Sequence, residues 1–358
     1  MPKAFIVKSF TISILKAPLI EPFRTAKGEH KFLENVLFEI KFQDGTIGRG
    51  EAAIASHITG ETVDGSMKNL RVAGEYLIGK EACDYLKISS ALHEMFPDNK
   101  AVVCALEMSL LDALTKKWNI PLYRFFGNSC KHLTTDITIV ISDLARTEEA
   151  SRKFYKQGFR MFKVKIGGDF DSDVKRVLIV KKFTPKAKIF LDANQGFSAN
   201  ETLRFLRELN HAKVFPELIE QPVPKEDWEG LKRVTRISKT PVCADESVRS
   251  IDDCVRLIRE KAAQMINIKL MKFGVIHARE IAQIARANGI DLVIGSMLES
   301  GFAVSAAAHM AAGLGCFKYV DLDTPFYIKN GLNEMPQLNC RGVYDMRSAK
   351  PGIGIKIQ

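Results

Sequence analysis

Between Lys163 and Asp323, short apolar segments recur, and most of them end on a charged or polar residue. Phe162-Lys163-Val164-Lys165-Ile166 is followed by Ile189-Phe190-Leu191-Asp192, Leu218-Ile219-Glu220 and Val242-Cys243-Ala244-Asp245. Met265-Ile266-Asn267-Ile268-Lys269, Val293-Ile294-Gly295-Ser296 and Tyr319-Val320-Asp321-Leu322-Asp323 complete the series. From Lys163 through Asp192, Glu220 and Asp245 to Lys269 the steps are 29, 28, 25 and 24 residues. Each step holds one strand, one helix and two short loops. Continuous apolar strands alternating with helices predict a buried parallel sheet. About eight such units close into a TIM-type (β/α) barrel, with its active site on the loops at the C-terminal strand ends. A doubly wound sheet would not gather charged residues from so many successive strands.

The 358 residues exceed the needs of one barrel, so a further domain is expected. Residues 1–125 read as an α+β capping domain. Near-alternate apolar positions from Phe5 to Ile14 predict a strand, and residues 33–42 a second one. Asp44-Gly45 reads as a hairpin turn and Thr46 to Glu51 as the return strand. Residues 18–31, with Pro18, Pro22 and Gly28, read as a loop carrying the cations Arg24 and Lys27. Helical spacing covers 62–79, 83–95 and 100–118. The barrel occupies 126–325, with its first strand at 136–141 and first helix at 147–157, stopped by Gly158. The turn-rich segment 326–358 is expected to pack back on the capping domain.

The formal net charge is +10, but the Lys and Arg residues are scattered, with no aromatic-interleaved basic run. Such a charge speaks to solubility rather than to a nucleic-acid partner. Seven dispersed cysteines without a Cys-x-x-Cys pair point to a reducing compartment. With no signal-peptide pattern and no apolar run of membrane-spanning length, a cytoplasmic protein is expected.

Asp192, Glu220 and Asp245 end three consecutive strands, and a barrel aims all three into one mouth. Carboxylates that close repel one another unless a positive charge sits between them. A hard divalent cation with oxygen ligands meets that need, and Mg²⁺ is the natural choice; no His or Cys stands at these positions to favour zinc. Lys163 and Lys165, one residue apart, share a strand face. Their proximity, and that of a metal, is expected to lower an amine pKa and create a general base. Lys269, at the end of a later strand, faces Lys165 across the mouth, with Lys272 a rival in the loop beyond. Two bases flanking one carbon can remove a proton from one face and return it from the other.

The segments Phe162-Lys163-Val164-Lys165, Leu191-Asp192-Ala193-Asn194-Gln195-Gly196, Ile219-Glu220-Gln221-Pro222, Ala244-Asp245-Glu246-Ser247 and Asn267-Ile268-Lys269 resemble the muconate-lactonizing subgroup of the enolase superfamily. The resemblance spans essentially the whole chain. It implies that Asp192, Glu220 and Asp245 bind Mg²⁺, which stabilises an enediolate formed from a substrate carboxylate. Lys165 and Lys269 become the acid/base pair, and Lys163 binds the carboxylate. A homo-oligomer is expected.

Asp321 and Asp323 share a face at the last strand end, and two fixed anions favour a cationic group on the ligand. Their spacing resembles the feature with which dipeptide epimerases hold a free α-ammonium. Arg24 matches the position of an arginine that pairs with the glutamate side chain in Ala-Glu epimerases. The resemblance also implies substrate contacts from Thr138, Ser296, Met297 and Leu298. Together these imply a Mg²⁺-dependent epimerase of L-Ala-D/L-Glu-type dipeptides, in the degradation of peptidoglycan peptides. The alternatives are a muconate cycloisomerase, an o-succinylbenzoate synthase or an N-acylamino acid racemase of the same subgroup. An alternative of another class is a non-catalytic metal-dependent binding protein.

Overall fold

The computed structural model describes residues 5–25, 28–56 and 60–355. Three antiparallel strands open the chain: β1 (Val7–Thr25), β2 (Gly28–Phe42) and β3 (Ile47–Ala52), in that order. Residues 18–25 and 28–31 are therefore strand, not the expected loop. The β1–β2 pairing runs on through Ala17↔Leu33 and Pro18↔Phe32, breaks register, and resumes at Phe23↔His30 and Arg24↔Glu29. β1 is an edge strand, where a proline without an N–H is tolerated.

Helices α1 (Val63–Leu77) and α3 (Lys100–Lys117) cover this sheet, and α2 (Tyr85–Met95) packs on α3. The α3 backbone lies directly on β3. A Cβ at Gly50 would collide with the Ala105 carbonyl, and one at Gly48 with that of Ser109. One-turn α4 (Leu122–Phe125) and short β4 (His132–Thr134) lead into the second half.

Eight parallel strands follow: β5 (Ile137–Ile139), β6 (Met161–Lys165), β7 (Lys188–Asp192), β8 (Leu218–Glu220), β9 (Val242–Ala244), β10 (Met265–Lys269), β11 (Asp291–Gly295) and β12 (Tyr319–Asp321). They pair strictly in chain order, and Asp136 N–H donates to Val320 O (3.0 Å), joining the two ends of the sheet. The outer helices are α5 (Leu144–Gln157), α6 (Phe170–Phe183), α7 (Ala199–His211), α8 (Trp228–Ile237), α9 (Ile251–Glu260), one-turn α10 (Leu270–Phe273), α11 (Val275–Ala287) and α12 (Gly301–Leu314). Local signals set their ends. Gly158 stops α5 in the left-handed conformation (φ 118°), and Ser198 with Glu201 forms a capping box at α7. α12 is apolar on every side and correspondingly buried.

The barrel interior explains where the site sits. Met161, Phe190, Leu218, Cys243, Met265, Val293 and Tyr319 form an apolar cluster separate from the main core. Each lies two residues before a polar position or a glycine: Lys163, Asp192, Glu220, Asp245, Asn267, Gly295 and Asp321. Strand side chains alternate with period two, so both sets face inward. One turn of the pleat forms an oily floor, and the next forms a polar layer above it.

After β12 the chain returns to both halves. Tyr344 Oη, in β13 (Val343–Asp345), donates to Leu322 O (2.5 Å), and Ile353 N–H donates to Asp112 in α3 (2.8 Å).

Candidate active site

The C-terminal ends of the barrel strands surround a cavity enclosing about 740 Å³, part of it open to solvent. Thr138, Lys163, Lys165, Lys269, Ser296, Met297, Leu298, Asp321 and Asp323, all named from the sequence, line it. Phe23, His30, Ile54 and Ala55 reach over it from the capping sheet and the chain just after β3.

Lys163 Nζ lies 2.9 Å from Asp192, 3.0 Å from Glu220 and 2.7 Å from Asp321. Lys165 Nζ donates to Asp192 (2.6 Å) and Asn194 (3.0 Å). Lys269 Nζ sits 2.8 Å from Asp245. All these side chains are buried. Lys272 is not in a loop but in α10, and it stays out of the cavity wall. Its ammonium donates to Asp245 Oδ1 (2.6 Å), Asp245 O (2.7 Å) and Asn267 O (2.8 Å), pinning Asp245 from behind.

Burial works to lower the Lys269 pKa, but Asp245 and Glu220 outweigh it and hold the amine above its ordinary value. Lys163 is likewise raised, because Asp192, Asp321 and Glu220 overcome its burial. The lowering expected from the proximity of Lys163 and Lys165 is therefore absent at Lys163, which stands nearer to carboxylates than the sequence spacing suggests. Asp192 and Asp245 respond in the opposite sense. Burial raises both, yet Lys163 and Lys165 at Asp192, and Lys269 and Lys272 at Asp245, hold them well below the carboxylate range. Glu220 is left short of positive charge. Burial and then Asp192 push it up to about 8, with Asp245 adding to the effect.

That shortage is the local test of a metal site. Asp192, Glu220 and Asp245 offer hard oxygen donors from adjacent strands, and Asn267 holds Glu220 Oε1 (3.0 Å). Lysine ammoniums stand among the three acids. Among the described residues, one trio of acids brings its oxygens within 4.8 Å of one another, and it is a different one, Asp136, Asp321 and Asp323. The chemistry of the first set nevertheless fits a hard divalent cation, which would supply the charge that Glu220 lacks.

Arg24 lies apart from these groups. Its Nε pairs with Glu29 on β2, and it borders a neighbouring cavity with Glu21, Ser142 and Arg146. Lys27 lies outside the described residues. Sequence reasoning did not single out Asp136, Asn194 or Asn35 as site residues. Asn35 joins the two halves: its Nδ2 donates to Glu51 Oε1 (2.6 Å) and Leu298 O (3.0 Å), and its Oδ1 accepts from Ile54 N–H (3.0 Å).

Residues 9–127 match the mandelate racemase/muconate lactonizing enzyme N-terminal domain, and residues 145–358 match the enolase C-terminal domain-like family. A hydrophobic dipeptide epimerase from Citrifermentans bemidjiense is 44% identical, with 99% of each chain covered. The chain belongs to the mandelate racemase/muconate lactonizing enzyme family of the enolase superfamily. Two solved members of this superfamily are similar throughout. The substrate-liganded L-Ala-D/L-Glu epimerase from Bacillus subtilis superposes with a TM-score of 0.94 at 32% identity, covering 98% of both chains. A dipeptide epimerase from Enterococcus faecalis V583, complexed with Mg and L-Leu-L-Tyr, gives 0.93 at 29% identity, covering 98% of this chain and 100% of that one.

Proposed function

We propose that this chain is a Mg²⁺-dependent dipeptide epimerase that inverts the α-carbon of the C-terminal residue. The observation that carries the reading is the pair of lysines on opposite strands of one cavity, with an acidic pocket at its far strand. Lys163 holds the substrate carboxylate together with the ion. Asp192, Glu220 and Asp245 would hold that ion, which when bound would offset the negative charge that builds on the substrate carboxylate. Asp321 and Asp323 take the α-ammonium, and Thr138, Ser296, Met297 and Leu298 line the remaining wall.

Inversion needs one neutral amine and one ammonium at the same moment. Of Lys165 and Lys269, one accepts the α-proton from its face while the other delivers a proton to the opposite face. Water is kept from the reacting carbon by the Phe23, Ile54 and Leu298 walls.

The relatives' names span acidic and hydrophobic dipeptides, so two side chains fit this chemistry. A dipeptide of the L-Ala-D/L-Glu type uses Arg24 once its guanidinium leaves Glu29. A dipeptide with an apolar C-terminal residue uses Phe23, Ile54, Met297 and Leu298, which already face the cavity, and that observation favours it as a second reading. A cytoplasmic, homo-oligomeric enzyme acting on peptides released from peptidoglycan is the proposed setting. The test is incubation of the Mg²⁺-loaded protein with L-Ala-L-Glu and L-Ala-L-Phe, followed by chiral separation. Epimerisation of either supports the reading, and their kcat/KM ratio chooses the side chain. Arg24→Ala should impair the glutamate substrate alone. Inversion of neither, nor of other dipeptides, would falsify the proposal and leave the lyases of the family or a binding protein.

A further inference from the structure

Asp136 stands just before β5, one inward step below Thr138, where the sheet closes against β12. Its side chain is 1% exposed, and neither carboxylate oxygen has a hydrogen-bond partner. A buried carboxylate without a donor is costly to keep. One oxygen each from Asp136, Asp321 and Asp323 lie within 4.8 Å of one another. Asp321 receives Lys163 Nζ (2.7 Å) and Asp323 receives Thr138 N–H (2.6 Å), whereas Asp136 receives nothing. Burial, then Asp321 and Asp323, push the Asp136 carboxyl well above its usual range. A cation seated among the three would remove the conflict.

We infer that Asp136 is the third acceptor of a three-carboxylate seat for a primary ammonium group, the N-terminus of the dipeptide. The inference rests on the epimerase reading and extends it to a residue behind the cavity wall. Three oxygens within 4.8 Å of one another leave a nitrogen centred among them at most about 2.8 Å from each, within the reach of charge-assisted hydrogen bonds. A primary ammonium carries three N–H donors, all directed away from its carbon, one for each acid. An acylated nitrogen carries one donor and no charge, and would leave two carboxylates unmet. The seat therefore selects free dipeptides over N-acyl amino acids. A divalent cation fits less well. It needs about six oxygens, while Asp321 and Asp323 already have one oxygen each engaged, and Lys163 stands beside it.

Calorimetric titration of the Mg²⁺-loaded protein with L-Ala-L-Phe and with its deamino counterpart, N-propionyl-L-Phe, tests this. Asp136→Asn should weaken the dipeptide about tenfold and leave the propionyl ligand within about twofold, since the pair differs only in the ammonium. Equal weakening of both ligands assigns Asp136 a structural role and overturns the inference, as does an unchanged dipeptide affinity. Loss of Mg²⁺-induced thermal stabilisation in the variant would overturn it too, by making the trio a metal site. If the variant does not fold, a crystal structure of the wild type with L-Ala-L-Phe decides. An α-nitrogen within about 3.2 Å of Asp136 supports the seat, and one beyond about 4 Å refutes it. A wild type that binds neither ligand sinks the epimerase reading itself, a result distinct from the others.

Discussion

Lys165 and Lys269 stand four strands apart on a ring of eight and line the same cavity, each anchored on a metal-ligand candidate. Lys165 is 2.6 Å from Asp192 and Lys269 is 2.8 Å from Asp245. Half a barrel's circumference thus separates two amines that a single small carbon centre can lie between. The carboxylates serve twice in the proposed reading: they fix each lysine's direction, and they would be the donors for a divalent ion.

Adding Mg²⁺ should therefore be visible without any substrate. At a hundred times its Kd, an ion that binds only the folded state adds about 2.7 kcal/mol of stability. Thermal unfolding of the wild type should move up by several degrees. Glu220→Gln, which keeps the shape and the Asn267 contact but not the charge, should lose most of that rise. An undiminished rise in the variant would place the ion elsewhere.

Asn35 ties Ile54 and Leu298, two walls of the cavity that come from different halves of the chain. Asn35→Ala frees both walls and leaves Glu51 without its 2.6 Å donor. The expected result is a stability loss of about 1–3 kcal/mol and a KM that rises by a larger factor than kcat falls. Steady-state kinetics with thermal melting measures both. A fall in kcat alone would deny Asn35 its part in shaping the substrate pocket.

The polar layer of the barrel was legible because six strands, β6 to β10 and β12, follow one rule, an apolar floor residue and then, two positions on, a polar group. That rule brings Asp192, Glu220 and Asp245 into view from spacing alone, and Lys269 lies one further inward step along β10. Asp136 escaped it because the segment Thr134-Thr135-Asp136 is polar throughout and its partners Asp321 and Asp323 are far along the chain. The arms of the first hairpin escaped because Pro18, Pro22 and Gly28 signal a loop, whereas an edge strand accommodates them. Lys272 reads as a loop residue because a one-turn helix leaves no periodic trace, and the lysine pKa directions depended on carboxylate distances that spacing does not fix.

His309, on α12, fixes a neutral ring between the two halves. Its Nδ1 accepts from Tyr123 N–H (2.8 Å), so Nε2 carries the proton and faces Ile353 O (3.1 Å). Burial lowers its pKa from 6.5 to about 4. The folded state then binds fewer protons than the unfolded one between those values. The contribution of His309 is complete above about pH 6.5 and is lost as pH falls toward 4, by up to about 3 kcal/mol. Thermal midpoints at pH 7.5 and 4.5 should differ less in His309→Gln than in the wild type. An equal difference would remove His309 as a source of acid sensitivity.

The two opposed amines are best tested by following the α-proton in D₂O by NMR, using both stereoisomers of one accepted dipeptide. Wild-type protein should place deuterium in each stereoisomer and interconvert them. Lys165→Ala and Lys269→Ala should each lose interconversion by about a hundredfold or more. Each should keep exchange with one stereoisomer alone, and with opposite ones. Loss of all exchange in both variants, or interconversion that survives without either lysine, would contradict the two-base account.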